Sequence, residues 1–380
     1  MSPPCKILVC FGTRPEAIKL APVALELAAS PDFELGLCAT GQHREMVEST
    51  LELFGLRPDH DLRLMTQDQS LEALTASTLT GVAAVLEASQ PDWVIVQGDT
   101  TTALASALAG FYAGVPVAHV EAGLRTPSAG IPFPEEMNRR LVSRLARLHF
   151  APTDRARQAL ETEAIPEERI FVVGNTVVDA LRHVVARSRE NDATHLARFG
   201  LDPVRKLLLV TGHRRESFGA GVEALCDAII EIAAAHPDDL EIVYPVHLNP
   251  HVTGPVHDRL GNVANVRLLP PLDYEAFLWL LDRCLLVLTD SGGVQEEAPT
   301  LGKPVLVTRD YTERPEAVEA GAARLVGTDR HTIVRGVERI LGDPSTYRSM
   351  ALEREIFGDG HASKRIVDVL RRARGSFRVS

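Results

Sequence analysis

Acidic side chains stand at the ends of apolar runs that are typical of strands. Asp99 and Glu121 each follow such a run directly, and Glu135 and Glu136 open a helical pattern after a Gly-Ile-Pro-Phe-Pro loop. One carboxylate in that position is more often a helix cap than a catalyst, but several in one crevice favour proton transfer. His213 follows a predicted strand of the second half. It could act as an acid, a base or a phosphate partner, or it could be a structural hydrogen-bonding residue. These residues indicate acid–base chemistry.

Two strand-to-helix junctions carry residues that could hold a phosphate. Arg14 and Lys19 flank the first helix start, where free backbone N–H groups and two cations could surround an anion, unless both are surface charges. Ser291 and Gly292 open another helix, where Ser291 could bind a diphosphate or act as an N-cap. Glu297, a few residues further on, could accept hydrogen bonds from both hydroxyls of a ribose. Alternatively, its negative charge could simply be stabilised by the nearby helix N-terminus.

We expect neither a redox cofactor nor a metal ion. The residues after Gly12 lack the second and third glycines of a dinucleotide-binding loop. An Asn-Pro turn between His247 and His251 breaks the spacing that a helical metal site needs, and no cysteine lies nearby. The five cysteines stand singly in apolar segments, which indicates core packing.

The elements that must position these side chains alternate between apolar β-rich runs and amphipathic helical stretches, which predicts parallel sheets in an α/β protein. Strand candidates cover 6–11, 33–40, 93–97, 117–121, 148–151 and 170–173, then 207–211, 241–245, 266–268, 285–289, 305–307 and 324–326. We expect two doubly wound domains, 1–172 and 173–361, with a C-terminal helix in 362–380 packing back on the first. Ligands of such sheets bind outside the carboxyl ends of the strands, where the polar clusters stand.

Bulk composition fits this division and excludes several classes. A chain of 380 residues exceeds the usual size of a single core, so two domains are the default. Hydrophobic residues make up 45% and charged residues 24%, as in globular proteins. The net charge of -11 argues against binding nucleic acid or an anionic membrane. With no signal-peptide pattern and no apolar stretch approaching about 18 residues, we expect a cytoplasmic protein.

Several runs of the sequence together resemble one family. These runs resemble the non-hydrolysing UDP-N-acetylglucosamine 2-epimerases, keep the order found in that family and span nearly the whole chain. They are 11–19, 96–102, 119–125, 134–139, 210–216, 244–250 and 289–297. The resemblance implies the GT-B architecture, in which two Rossmann-like domains face a central cleft. It also implies reversible C2 epimerisation of UDP-N-acetylglucosamine to UDP-N-acetylmannosamine, through elimination and readdition of UDP and a glycal intermediate, in a homodimer.

Residue roles follow from the resemblance by position. Asp99, Glu121 and Glu135 become the acid and base candidates, with the order of their steps open, and His213 stands beside the leaving diphosphate. Arg14 and Lys19 would contact the phosphate oxygens, and Ser291 and Gly292 would bind the diphosphate. Glu297 would bind the ribose. Phe277 would contact uracil, although its side chain could equally pack in the core.

Some members of this family bind a second UDP-N-acetylglucosamine that activates them. The matching positions here are Gln42, Glu136, Arg214 and His247. Acidic Glu45 and Asp68 stand where some activated members carry a glutamine and an arginine, and a carboxylate there would repel a diphosphate.

Three other functions stay open at this point. A GT-B glycosyltransferase would use the same UDP site but pass the sugar to an acceptor. A hydrolysing epimerase would release free N-acetylmannosamine, and a sensor would bind the nucleotide-sugar without turnover.

Overall fold

The computed structural model describes residues 3–41, 44–66, 69–126, 130, 132–212 and 219–374. Two compact units divide the chain: unit 1 holds the described residues up to Arg182 and those from Phe357 onward, and unit 2 is His183–Ile356. The expected boundary at 172/173 precedes this division, which falls within a helix.

Each unit is built on one sheet of parallel strands. In unit 1 the strands are β1 (Cys5–Phe11), β2 (Phe33–Ala39), β3 (His60–Asp61), β4 (Trp93–Gln97), β5 (Val117–Val120), β6 (Leu148–Ala151) and β7 (Ile170–Val172). In unit 2 they are β8 (Lys206–Thr211), β9 (Leu240–Pro245), β10 (Val266–Leu269), β11 (Leu286–Thr289), β12 (Val305–Val307) and β13 (Ala323–Leu325).

The strand orders are β3-β2-β1-β4-β5-β6-β7 and β10-β9-β8-β11-β12-β13. Each order reverses at one point, between β1 and β4 in unit 1 and between β8 and β11 in unit 2. This is the Rossmann arrangement, which binds ligands at that reversal. The predicted α/β class with two doubly wound parallel sheets is confirmed.

Helices connect successive strands. They are α1 (Arg14–Ala28), α2 (Arg44–Leu53), α3 (Leu71–Ser89), α4 (Thr101–Tyr112), α5 (Glu135–Leu145), α6 (Asp154–Thr162), α7 (Thr176–Glu190), α8 (Asp192–Phe199), α9 (Ala220–Ala235), α10 (Pro250–Leu260), α11 (Tyr274–Arg283), α12 (Gly292–Thr300), α13 (Pro315–Glu319), α14 (Arg330–Gly342), α15 (Pro344–Met350) and α16 (Ala362–Ala373), with a 3₁₀ turn at Glu167–Arg169. The unit boundary lies within α7.

The core of unit 1 has two layers because its sheet is covered on both faces. Alternate residues of β1 enter different layers: Val9 joins the side of α1 and α16, and Leu8 the side of α3 and α4. That double burial explains the continuous apolar runs of the sequence. α16 packs against α1, and Arg371 and Arg374 pair with Asp32 at 2.9 and 2.6 Å.

α3 departs from one expectation. By length and composition alone it is long and apolar enough to cross a membrane, so the statement that no stretch approaches that length is wrong for α3. In unit 1 it lies against α4 and buries Leu74, Val82 and Leu86.

Candidate active site

The junction between β1 and α1 is filled by a side chain of its own. Thr13 caps α1, and the carboxylate of Glu16 accepts from the N–H groups of Thr13 at 2.8 Å and Gly12 at 3.1 Å. The other oxygen of Glu16 accepts from Thr100 Oγ1 at 2.6 Å. Burial raises the pKa of Glu16, and these hydrogen bonds oppose the shift. The expectation of free N–H groups beside Arg14 is therefore wrong at these two positions.

Gly12 permits a close approach at the same junction. A Cβ there would lie 2.3 Å from Thr102 Oγ1 and 2.4 Å from Thr40 Oγ1. The two hydroxyls are 3.1 Å apart and hydrogen-bonded in the interior. Only a residue without a side chain fits.

Glu121, at the end of β5, is held by donors from three elements. Its Oε1 accepts from Lys19 Nζ of α1 at 2.6 Å and from Asn175 Nδ2 at 3.2 Å, while Oε2 accepts from Gln97 at the end of β4. Glu121 is 7% exposed, and its backbone adopts a φ of 61°, which is rare outside glycine. Strain of this kind is found mostly at functional sites. Lys19 thus carries an internal ion pair, which its predicted role as a phosphate partner did not include.

Asp99 lies beyond the neighbouring strand β4 and pairs with an arginine of α5. Arg139 donates to Asp99 Oδ2 from Nε at 3.1 Å and from a second guanidinium nitrogen, and Asn138 donates to the Asp99 carbonyl at 2.9 Å. A two-nitrogen grip fixes orientation as well as charge. Arg139 also contacts Glu136, at 3.1 Å.

The two glutamates that open α5 differ in environment. Glu135 is half-buried in the first turn, and no hydrogen bond or ion pair reaches its side chain among the described residues. Glu136 is fully buried, and its oxygens accept from Arg139, from Arg140 at 2.7 Å and from the Thr126 N–H at 3.1 Å. Glu135 is therefore the less constrained of the two carboxylates, whereas Glu136 is enclosed by its arginine partners.

In unit 2 the start of α12 contrasts with that of α1. Ser291 occupies the N-cap position, yet its hydroxyl makes no cap hydrogen bond. Its N–H donates to Thr289 Oγ1 at 2.9 Å, which orients the turn. The first N–H groups of α12, beginning at Gly292, are thus not used by their own cap, and the helix dipole there favours an anion.

Glu297 lies one turn into α12 and is oriented by an aromatic hydroxyl. Tyr274, the first residue of α11, donates to Glu297 Oε1 at 2.8 Å, and both side chains are buried. Phe277, on the same helix, is half-buried and stands apart from the core cluster of unit 2. His247 follows β9 and is exposed, and its Nδ1 accepts from the Asn249 N–H at 3.1 Å.

Known proteins of similar sequence show which family the chain belongs to. A family model described as UDP-N-acetylglucosamine 2-epimerase matches residues 25–371. The UDP-N-acetylglucosamine 2-epimerase of Escherichia coli K12 is 52% identical over 373 residues, covering 97% of this chain and 99% of that protein. This chain belongs to the UDP-N-acetylglucosamine 2-epimerase family. The predicted family and the predicted enzyme class, an isomerase, are confirmed.

Solved structures of other epimerases share its fold. One from Neisseria meningitidis, bound to UDP-GlcNAc, superposes with a TM-score of 0.93 at 44% identity, covering 97% of this chain and 100% of that one. One from Methanocaldococcus jannaschii, in complex with UDP-GlcNAc and UDP, has a TM-score of 0.83 at 34% identity and covers 97% and 99%.

Some predicted residues of the epimerase site lie outside the described residues. His213, Arg214 and Gln42 are among them, so their placement is not described. Over the described ranges, no three His, Cys, Asp or Glu side chains are grouped to hold a metal ion.

Sequence reasoning missed several residues that orient the epimerase candidates. Gln97 and Arg139 stand inside stretches already singled out, and Tyr274 lies three residues before Phe277, but none of the three was given a role. Asn175 directly follows the β7–Gly174 turn, so the rule that chemistry lies after strands could have found it. Glu16 was given no role either, although a glutamate three residues after a threonine is the sequence pattern of a capping box.

Proposed function

We propose that this epimerase is of the non-hydrolysing type and interconverts UDP-N-acetylglucosamine and UDP-N-acetylmannosamine by eliminating and re-adding UDP. The observation that carries the proposal is the set of carboxylates at one edge of the unit 1 sheet. Asp99 and Glu121 follow neighbouring strands, each oriented by a cation, and Glu135 opens the helix that carries the arginine of Asp99.

Elimination answers a difficulty of the substrate. C2 of the sugar bears no adjacent carbonyl, so its hydrogen is too weakly acidic for simple removal and return. When the C1–O bond to UDP breaks, the electron pair leaves with the diphosphate and C1 gains positive character. A carboxylate then takes the C2 proton, and the C–H pair forms the C1–C2 double bond of a glycal. Protonation at C2 from the opposite face and readdition of UDP at C1 give the epimer.

In unit 1 the proposed acid and base are drawn from Asp99, Glu121 and Glu135. Their environments differ, which is how one site keeps two proton-transfer roles apart. Lys19 is proposed to serve the departing phosphate with Arg14. Its ammonium group has three N–H donors, so bonding to Glu121 is compatible with that role. His213 is proposed beside the diphosphate.

In unit 2 the proposed ligand is the UDP moiety. The start of α12 at Ser291 and Gly292 would take the diphosphate, because preorganised N–H groups stabilise the charge that develops as the bond to C1 breaks. Glu297, held by Tyr274, would accept from the ribose hydroxyls. Phe277, partly exposed beside them on α11, would contact uracil.

The acidic Glu45 and Asp68 count against a second, activating UDP-N-acetylglucosamine site at the matching positions Gln42, Glu136, Arg214 and His247. The burial of Glu136 means that Arg139 or Arg140 would carry its influence.

We further propose a cytoplasmic homodimer. Large apolar side chains are exposed on α4 and α5 of unit 1: Phe111 is 60% exposed, Tyr112 69%, Met137 46% and Leu141 44%. Exposed apolar groups on packed neighbouring helices suit a second copy. The sedimentation coefficient should fall to the monomer value in Phe111→Ser/Tyr112→Ser.

Incubation with UDP-N-acetylglucosamine alone in deuterium oxide tests the reaction. We expect a stable mixture of gluco and manno nucleotides, both carrying deuterium at C2, with no net release of UDP. Steady accumulation of UDP and free sugar would mean hydrolysis, and unchanged substrate would refute catalysis.

A further inference from the structure

The chain leaves unit 1 through α7 and returns to it at Phe357, and these two segments touch within unit 1. The N–H of Asn175 donates to the carbonyl of Phe357 at 2.6 Å. Gly174 and Gly358 adopt φ values of 93° and 124°, and a Cβ on Gly358 would lie 3.1 Å from Gly174 Cα and 3.4 Å from Asn175 N. The contact therefore needs glycine on both segments.

The side chain of Asn175 links this contact to the candidate site. Its Oδ1 accepts from the Val177 N–H at 3.1 Å, at the start of α7, and its Nδ2 donates to Glu121 Oε1 at 3.2 Å. Asn175 is 2% exposed, so the amide is an interior group with both ends in use. Backbone and side chain together tie the returning segment, the helix start and the carboxylate.

Asn175 contributes something that the other partner of Glu121 Oε1 does not. Lys19 brings a full charge, but its ammonium group is a point charge on a flexible stem and sets no plane for the carboxylate. A planar amide fixed at both ends sets direction. Glu121 has a φ of 61°, and a non-glycine residue keeps such a conformation only where the surrounding contacts hold it.

We propose that Asn175 is a positioning residue for Glu121 in the epimerase reaction, and that its own position is set by the segment that returns at Phe357. This inference depends on the proposed function, since Glu121 matters to it only as an acid or base. Asn175 itself need not touch the substrate.

Charged groups lie on both sides of this amide. Glu121 and Lys19 are on the side of the sheet and α1. On the other side, Asp179 of α7 accepts from the N–H of Ser363 at 2.8 Å, and Asp359 pairs with Arg365 of α16 at 2.6 Å. Asp179, Asp359 and Arg365 already have these partners, so the charge of a carboxyl introduced at position 175 would interact first with Glu121.

Asn175→Asp is the sharpest test. It keeps the acceptor for Val177 but removes the donor and sets a second carboxylate against Glu121. At pH 8 we expect kcat to fall about 100-fold with KM within about threefold, the size of a lost charge-assisted hydrogen bond. As pH falls, the two carboxyls share a proton and a donor returns, so the deficit relative to wild type should shrink to about tenfold at pH 5.5.

Asn175→Ser serves if the aspartate variant folds poorly. Serine retains a capping oxygen for α7 but is too short to reach Glu121. We expect kcat to fall about tenfold at every pH, with KM unchanged. Asn265→Asp is the matched control, because Asn265 is a buried amide of unit 2 that donates only to carbonyls; it should lower stability but not kcat per folded molecule.

Gly358→Ala tests the link to the returning segment. Its new Cβ would push on Asn175, so kcat should fall, and the loss should be less than additive when combined with Asn175→Ser. Gly114→Ala, also at positive φ but with nothing within 4 Å, controls for adding a methyl group at positive φ without a collision and should leave kcat unchanged.

The outcomes separate the two proposals. If the wild-type protein forms no epimer, the proposed function fails. If wild type is active and both Asn175 variants keep kcat within twofold, or Asn175→Asp loses the same factor at every pH, the positioning role is overturned. Strict additivity of Gly358→Ala with Asn175→Ser would overturn the link to the returning segment.

Discussion

Replacing His149 by phenylalanine should flatten the pH dependence of the unfolding free energy of unit 1. His149 on β6 lies opposite His119 on β5, and both are buried. Burial lowers the pKa of His119 to about 4 and that of His149 to about 3. His119 also contacts the Gly98 carbonyl at 2.8 Å, next to the candidate site, so His149 is the better residue to change.

The size of the effect follows from proton linkage. An unfolded imidazole titrates near pH 6.5, so between that pH and the folded pKa the unfolded chain binds more protons and stability falls as pH falls. From pH 7 to pH 5 each histidine should cost about 2 kcal/mol, or about 4 kcal/mol for the pair. The stabilisation is fully present above about pH 6.5. His149→Phe should remove about half of the loss that the two histidines cause.

Urea denaturation at pH 7, 6 and 5 measures this difference. Each unit has one tryptophan, Trp93 and Trp279, so a Trp279→Phe background lets fluorescence report unit 1 alone. The prediction concerns the change with pH, which is separate from any constant packing effect of phenylalanine. An equal loss of stability from pH 7 to pH 5 with and without His149 would mean that protonation of this histidine does not destabilise unit 1.

Three further predictions concern single side chains. Gly12→Ala should lower the unfolding free energy of unit 1 by about 3 kcal/mol in urea titrations, because its Cβ collides with two buried hydroxyls. Tyr274→Phe should raise the dissociation constant of UDP about tenfold in calorimetry, since Glu297 loses its orienting donor; unchanged affinity would contradict this. Arg139→Lys should lower kcat about tenfold in steady-state kinetics, because a single ammonium cannot reproduce the two-nitrogen grip on Asp99.

Much of the scaffold could be predicted because the strands are continuously apolar. The predicted runs 93–97, 148–151 and 305–307 coincide with β4, β6 and β12, and the other predicted strands appear with small shifts at their ends. β3, His60–Asp61, was not predicted, because two polar residues carry no strand pattern. α3 was underestimated as an apolar segment because its small residues and threonines do not form a continuous run of large side chains.

At the candidate site, the sequence predicted positions after strands but not the contacts made there. Nothing local to Glu121 shows that Gln97, Lys19 and Asn175 meet its carboxylate, because these contacts are set by strand order and by the turn after β7. At Glu16 the error is the opposite one. The first helix start was expected to offer free N–H groups to a phosphate, but the carboxylate of Glu16 accepts from one of them.

In the proposed mechanism, the bond between C1 and the diphosphate breaks during turnover. UDP-N-acetylglucosamine labelled with oxygen-18 in that bridging position tests it, followed by phosphorus NMR of the recovered nucleotide-sugars. We expect label to move into the non-bridging oxygens of the β-phosphate while the manno epimer forms. Epimer that accumulates with all label still in the bridge would contradict it.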